Sequence, residues 1–201
     1  MKKILFVLLL LISPSLFAQY VDASIFLKST SSHRTVNAIP WITMEPTTNG
    51  VLFQVRYNFD AKDALTVFVG KNISLGKGVN LVPQLGYIYS EKYEAVTQEL
   101  WTLISDDVIS VFMLNQLSVG VSNKYSDFLY HWTEVLFPLN TYISIGFAEQ
   151  VFTYLDVSGV YFDVGPTAKI SIAQKFYLKP WITYDFTHNE QKVFLGIGYV
   201  F

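Results

Sequence analysis

Polar side chains recur at every second position in several apolar segments of this 201-residue chain. In VLFQVRYNF, Gln54, Arg56 and Asn58 alternate with apolar residues. Successive side chains of a β-strand point to opposite faces, so such a strand has one polar and one apolar face. Charged groups on a buried polar face must pair with each other or contact water. The same alternation predicts a set of residues that line the interior of a barrel: Gln54, Arg56, Asn58, Glu99, Gln116, Glu134, Asp163, Lys169, Lys179, Asp185 and Lys192.

A second group of reactive side chains lies in the segment MLNQLSVGVSNKYSDFLYHWTEVLF. A hairpin whose turn is centred near Lys124 places Glu134 opposite Leu114. Glu134 then lies on the polar face, and His131, Thr133 and Asn115 lie on the apolar face. Polar groups on an apolar face are costly unless they are paired or used. A hydroxyl within hydrogen-bond distance of an imidazole is a candidate nucleophile with its base. A bulge that turns the histidine inward, a polar belt and an oligomer contact are the alternatives, so we assign no catalytic residue.

Other kinds of chemistry find little support in the sequence. The chain has no cysteine, which excludes thiol chemistry and cysteine-ligated zinc. The three histidines, at 33, 131 and 188, do not have the spacing of metal ligands. No glycine-rich phosphate loop precedes a helix. The net charge of −2 does not provide the basic stripe that nucleic acid requires. We therefore expect no metal, no cofactor and no nucleic-acid partner.

The composition indicates the kind of fold that positions these residues. Hydrophobic residues make up 51% of the chain and charged residues 15%, against about 25% charged residues in a typical globular protein. After residue 18 there is no run of 18 apolar residues, the length that a transmembrane helix needs. Apolar residues that alternate with polar ones are typical of a transmembrane β-barrel, which has one face to lipid and one to its interior. The sequence predicts an all-β fold, a closed antiparallel transmembrane barrel.

Turn signals between the alternating segments predict twelve strands with short connections. Ten strands remain an alternative if two of the weaker hairpins form one long excursion. An even number would place both termini on the periplasmic side. Four prolines inside predicted strands, Pro40, Pro83, Pro166 and Pro180, require bulges or strand ends. The predicted strands lie near residues 20–29, 37–45, 50–59, 63–72, 79–90, 95–104, 108–121, 127–137, 141–154, 158–172, 175–186 and 191–201.

The beginning of the chain, MKKILFVLLLLISPSLFA, has the pattern of a secretory signal peptide. Lys2 and Lys3 form a basic region, an unbroken apolar stretch follows, and Ala18 is a small residue at a plausible cleavage site. The apolar stretch is too short to span a membrane. We expect cleavage of residues 1–18 and a single barrel domain over residues 19–201.

The last strand, KVFLGIGYVF, is apolar at alternate positions up to its final residue, Phe201. A barrel closes by pairing its last strand with its first, so this strand does not need to end in a turn. With Tyr199 and Phe201 as alternate aromatic residues, the segment resembles the C-terminal assembly signal of Gram-negative outer-membrane β-barrels. This resemblance implies an integral outer-membrane location among outer-membrane lipid and recognition by the barrel assembly machinery. The alternative is the last strand of a soluble exported β-sandwich.

His131, Thr133 and Asn115 loosely resemble the Ser-His-Asn group of the outer-membrane phospholipases, which acts on lipid from the outside of a barrel. The family has the order His-x-Ser, with the asparagine on the following strand. Here a threonine replaces the serine, and the asparagine comes first. The resemblance implies a lipid-acting hydrolase only if these departures are tolerated.

A twelve-stranded barrel is wider than the eight-stranded barrel that side chains just fill, so some water-filled lumen is expected. The sequence therefore predicts a small porin-like passive channel for ions or small solutes. Because the charges of the predicted interior have mixed signs, a network of ion pairs that fills the interior is an equal alternative. An interior filled by ion pairs would make the protein a structural or partner-binding barrel. A lipid-acting hydrolase is the lesser alternative, and the oligomeric state is left open.

Overall fold

The computed structural model describes residues 20–32, 36–45, 50–58, 64–91, 93–121, 127–156, 158–173 and 175–200. Two predictions, the signal peptide over residues 1–18 and the assembly role of Phe201, fall on residues outside these ranges. The described chain is built from β-strands and their connections. No helix among the described residues is long and apolar enough to cross a membrane.

Thirteen strands are present among the described residues, and all twelve predicted strands are found within two residues of their predicted ends. The additional strand is the short β5, which the sequence did not predict. In chain order the strands are β1 (Tyr20–Thr30), β2 (Val36–Glu45), β3 (Val51–Asn58), β4 (Ala64–Lys71), β5 (Ile73–Gly76), β6 (Val79–Tyr89), β7 (Glu94–Ser105), β8 (Ser110–Gly120), β9 (Phe128–Pro138), β10 (Ile143–Tyr154), β11 (Val160–Ile172), β12 (Phe176–Asp185) and β13 (Glu190–Val200).

The strands form one closed antiparallel barrel. Each strand pairs with its neighbours in the chain, and β1 pairs with β13 in the register Asp22↔Val200 to Thr30↔Lys192. β4 and β5 are two parts of one barrel strand interrupted at Asn72, since both pair with β6. The barrel therefore has twelve strands around its wall, and closure removes the unpaired edge that would otherwise bind other chains. The predicted fold is confirmed.

The four strand prolines lie where pairing with one neighbouring strand is interrupted. Pro83 lies on β6 between Leu81, which pairs with β5, and Gln84, which pairs with β4. Pairing between β11 and β12 skips two stretches, and Pro166 lies in one of them and Pro180 in the other. Pairing between β2 and β3 begins at Trp41, immediately after Pro40. Because proline has no N–H to donate, these positions tolerate it at little cost to the ladder.

Side chains alternate between the two faces of the wall along every strand. On β9, the even-numbered residues from Tyr130 to Leu136 face the interior, and Trp132 and Glu134 among them are almost fully buried. The odd-numbered residues face outward, and most of them are apolar. The exterior of the wall is consequently an apolar surface, as contact with lipid requires.

Candidate functional site

The barrel interior contains the predicted polar set. The structure places all eleven residues on the inward face of the wall, and six of them are nearly inaccessible to solvent: Gln54, Glu99, Gln116, Glu134, Asp163 and Asp185. For orientation, we call the end that holds Tyr20 and Val200 the proximal end and the opposite end the distal end.

Seven aromatic side chains, which we call the aromatic layer, cross the middle of the interior. The layer consists of Phe26, Trp41, Trp101, Phe112, Trp132, Trp181 and Phe194. Trp132 is at its centre, and its ring centroid lies 5.2 Å from that of Phe112 and 5.8 Å from that of Trp181. Trp41 on β2 contacts Trp101 on β7 at 5.7 Å and Trp132 on β9, which lies on the opposite side of the barrel, at 6.3 Å. Aromatic pairs at these distances attract each other, so the layer narrows the middle of the lumen.

A cavity of about 570 Å³ lies between the aromatic layer and the distal end, and we call it the vestibule. Its wall on β9, β10 and β11 holds a second group of rings, in which Phe152 contacts Phe128 at 5.2 Å and Tyr161 at 5.8 Å. Asn58 and Gln150 add amide groups to the lining. The expected water-filled lumen is thus limited to part of the interior, because large rings fill the rest.

Arg56 is the central cation of the vestibule. It forms an ion pair with Glu99, whose side chain is fully buried, and its guanidinium carbon lies 3.8 Å from the ring centre of Trp41. Glu99 also accepts hydrogen bonds from the Trp101 indole and from Gln84. A buried carboxylate is tolerated only when its charge is paired and its lone pairs are bonded. These contacts hold the arginine flat against the aromatic layer.

Lys192 forms the second charged group of the vestibule. Its ammonium lies 2.9 Å from an Asp163 carboxylate oxygen and 2.7 Å from one of Asp185. Asp185 also accepts hydrogen bonds from the backbone N–H groups of Thr187 and His188, which fix the turn between β12 and β13. One cation therefore neutralises two acids from two neighbouring strands.

A further ion pair lies on the proximal side of the aromatic layer. Lys179 Nζ donates to Glu134 Oε1 at 2.8 Å. Lys169 lies near the ring of Tyr177, with its ammonium 5.2 Å from the ring centre. Gln54 and Gln116 make neutral hydrogen bonds within the wall, to Thr43 and to Thr97 and Ser118. The charges predicted for one lumen are therefore divided between two compartments.

The aromatic layer was not predicted from the sequence, although the sequence contains a signal for it. All four tryptophans lie two residues from a polar residue of the inward face, for example Trp101 after Glu99 and Trp181 after Lys179. The prediction of inward residues considered only the polar residues of each alternating segment, so it did not include these large rings. A search for aromatic residues on the polar face would have found them.

On the outer surface, the register of β8 and β9 corrects the predicted hairpin. We expected Glu134 opposite Leu114, but Glu134 pairs with Phe112 and His131 with Asn115. The shift is two residues, so every side chain keeps its predicted face. Period-two alternation is unchanged by a shift of two residues, so it could not distinguish the two registers. The shift brings Asn115 directly opposite His131.

Searches against known proteins give matches only at the level of fold. No protein-family model and no curated protein matches the chain. Among solved structures, it is similar to the KdgM porin, with a TM-score of 0.64 and 9% identity over 90% of this chain and 99% of that chain. The NanC porin has a TM-score of 0.64 and 11% identity, over 89% of this chain and 98% of that chain. The COG4313 outer membrane channel from Pseudomonas putida F1 has a TM-score of 0.65 and 9% identity, over 94% of this chain and 100% of that chain.

The fold is that of an outer-membrane β-barrel. The similar structures are covered almost completely, so the likeness extends to the whole barrel wall and not to one hairpin. At about one residue in ten identical, it carries no residue of a site from one protein to the other. The interior of this barrel must be interpreted from its own side chains.

The division into an inward and an outward face can be tested with cysteine variants. Gln150 lines the vestibule, and Phe147, near the middle of β10, faces outward. We expect Gln150→Cys in lipid to react with a small charged thiol reagent and Phe147→Cys to remain unlabelled, because hydrocarbon excludes charged reagents. Mass spectrometry measures the labelling, and the wild-type chain has no cysteine that could contribute. The reverse pattern would contradict the register of β10.

Proposed function

We propose that the protein is a small porin-like channel of the outer membrane that passes ions or small polar solutes. The observation that carries this proposal is the vestibule, a cavity with both charge signs on its walls inside a closed barrel. Several similar structures bear titles that name porins or an outer membrane channel, which supports the same role.

Hydration of the interior also supports a channel. Within the described part of the chain, no protein group bonds the second carboxylate oxygen of Glu99, Glu134 or Asp163. A charged oxygen without a hydrogen bond is costly in a dry protein interior, so we infer that single bound waters bond these buried groups. Glu99 and Asp163 lie on the distal side of the aromatic layer and Glu134 on the proximal side. Polar groups that bind water thus lie on both sides, and the aromatic layer is the narrowest part of the lumen between them.

The mixed charges predict weak ion selectivity. Arg56 and Lys192 are compensated by Glu99, Asp163 and Asp185, so no strong field of one sign fills the vestibule. Solutes that have an apolar face as well as hydroxyl or charged groups fit these walls best. The aromatic rings pack against the apolar face, and the ion-paired side chains bond the hydroxyl or charged groups.

Conductance of the purified protein in planar bilayers tests the proposal. We expect small single-channel steps for the wild type. Lys192→Gln should shift the preference towards cations, because it leaves two carboxylates without their cation in a low-dielectric passage. The reversal potential in a salt gradient measures this shift.

Lys77→Gln provides the matched control, since Lys77 lies in the exposed turn between β5 and β6, outside the vestibule. Its reversal potential should equal that of the wild type. Folded protein that gives no steps, or a Lys192 variant with unchanged selectivity in an active channel, would contradict a conducting vestibule. The protein would then be a structural or partner-binding barrel.

The route to this location is part of the proposal. We propose that export removes residues 1–18 and that the barrel assembly machinery recognises the strand that carries Tyr199 and Phe201. Tyr199 lies on the outward, lipid-facing side of β13, accessible to a partner.

A further inference from the structure

Three polar side chains on the outer surface form one hydrogen-bonded chain. His131 Nδ1 lies 2.7 Å from Asn115 Oδ1, and His131 Nε2 lies 2.7 Å from Thr133 Oγ1. The pairing of Asn115 with His131 across β8 and β9, and the i,i+2 spacing of His131 and Thr133, place all three on one outward face. The side chain of Glu149 on β10, opposite Thr133, brings a carboxylate oxygen to 3.4 Å from His131 Nε2.

This order of atoms fixes the roles of the two imidazole nitrogens. The Asn115 amide oxygen can only accept a hydrogen bond, so Nδ1 carries the proton and donates it. Nε2 is then unprotonated and accepts from the Thr133 hydroxyl. A hydroxyl bonded to the basic nitrogen of a histidine, which is itself held by a third group, is the arrangement that activates a nucleophile.

We propose that Thr133, His131 and Asn115 form a catalytic centre that hydrolyses carboxylic esters of membrane lipids. Thr133 is the nucleophile, His131 the general base and acid, and Asn115 a positioning residue that holds the histidine. This activity is separate from the channel and does not depend on it, because the centre lies on the other face of the wall.

The reaction balances with water as the only co-reactant. Nε2 takes the proton of the Thr133 hydroxyl while Oγ1 bonds to the ester carbonyl carbon, and the carbonyl π electrons move onto its oxygen. When the carbonyl re-forms, the bond to the alcohol breaks and the alcohol leaves with the proton from His131. Water then attacks the acyl-threonine, with Nε2 as its base, and releases the carboxylic acid and the free Thr133 hydroxyl. The Glu149 carboxylate stabilises the imidazolium that forms in each step.

The position of the centre selects the substrate class. His131 is the fourth residue of β9 counted from the distal end, about 10 Å along the strand from that end. A strand of about 9–11 residues tilted by about 45° just spans the hydrocarbon core, so the ends of the 11-residue β9 lie near the lipid ester groups and His131 lies within one turn of side chains of that boundary. A groove of about 700 Å³ on the outer surface reaches both Asn115 and His131, and its lining includes Leu100, Leu117 and Leu129. The leucines fit an acyl chain, with its ester beside the histidine.

The cost of the cluster also argues for a use. Four polar side chains face outward here among apolar neighbours, where charged and polar groups destabilise a barrel. Their mutual hydrogen bonds reduce this cost but do not explain why the positions are polar.

The test measures ester hydrolysis by the purified protein in mixed micelles, with a p-nitrophenyl fatty-acid ester and with a diacyl phosphatidylcholine as separate substrates. We expect measurable release of acid by the wild type. Thr133→Val, which keeps the shape and removes the hydroxyl, and His131→Ala should each reduce the rate by about 100-fold or more. Thr133→Ser should retain activity. Asn115→Ala should lower kcat with little change in KM, as expected of a residue that acts through the histidine.

Thr102→Val is the matched control, because Thr102 lies on the same outer surface, on β7, and pairs with Met113, the partner of Thr133. It should retain wild-type hydrolysis. None of these variants should change the channel conductance, which keeps this proposal separate from the channel. A folded wild type that releases no acid above the blank from either ester, or a Thr133→Val variant as active as the wild type, would overturn the proposal. Hydrolysis of the p-nitrophenyl ester alone would overturn the assignment to membrane lipids.

Discussion

Trp132→Ala should raise the single-channel conductance several-fold. Trp132 is the centre of the aromatic layer, with ring contacts to Phe26, Trp41, Phe112 and Trp181. Removing its indole opens a path between the vestibule and the proximal compartment, because the neighbouring rings are anchored on separate strands. Planar-bilayer recordings at fixed salt measure the change.

Folding must be verified for this variant, since Trp→Ala in a core costs about 3–5 kcal/mol. Heat-modifiable gel migration identifies the folded fraction, and Trp132→Leu provides a milder opening if that fraction is small. Phe137→Ala is the control, because Phe137 is a large aromatic residue of the same strand that faces outward. It should leave conductance unchanged. If folded Trp132→Ala conducts like the wild type, the aromatic layer is not the barrier.

Arg56→Met should strongly destabilise the barrel. It leaves the Glu99 carboxylate buried without its cation, and breaking a buried ion pair by removing one partner costs about 3–5 kcal/mol. It also removes the packing of the guanidinium on Trp41 and Phe68. Denaturant unfolding of the reconstituted protein, followed by gel migration, measures the loss.

The double variant Arg56→Met/Glu99→Gln should recover much of the lost stability, because the remaining amide is neutral. Lys71→Met is the control, since Lys71 lies exposed at the end of β4, and it should change the free energy of unfolding by about 0.5 kcal/mol or less. If the single and double variants are equally unstable, the cost comes from lost packing and not from the unpaired charge.

The sequence determined the strands and their faces. Alternation at period two follows from the geometry of each strand alone, so the inward position of Arg56 and the outward position of His131 could be inferred without any partner. The turn signals gave the strand ends because backbone conformation at a turn depends on the local residue types. The interruption at Asn72, which separates the short β5 from β4, carried no such signal.

Only the tertiary structure decided which side chains meet. Trp41 and Trp101 are far apart in the chain and on strands that do not pair, and their contact depends on how the closed sheet curves. The same holds for Arg56 with Glu99 and for Lys179 with Glu134, which are pairs of residues on non-neighbouring strands. The contact between His131 and Asn115 depended on a hairpin register that sequence analysis placed two residues away. Local periodicity repeats every two residues and is unchanged by such a shift, so it fixes the face of a residue but not its neighbour across the sheet.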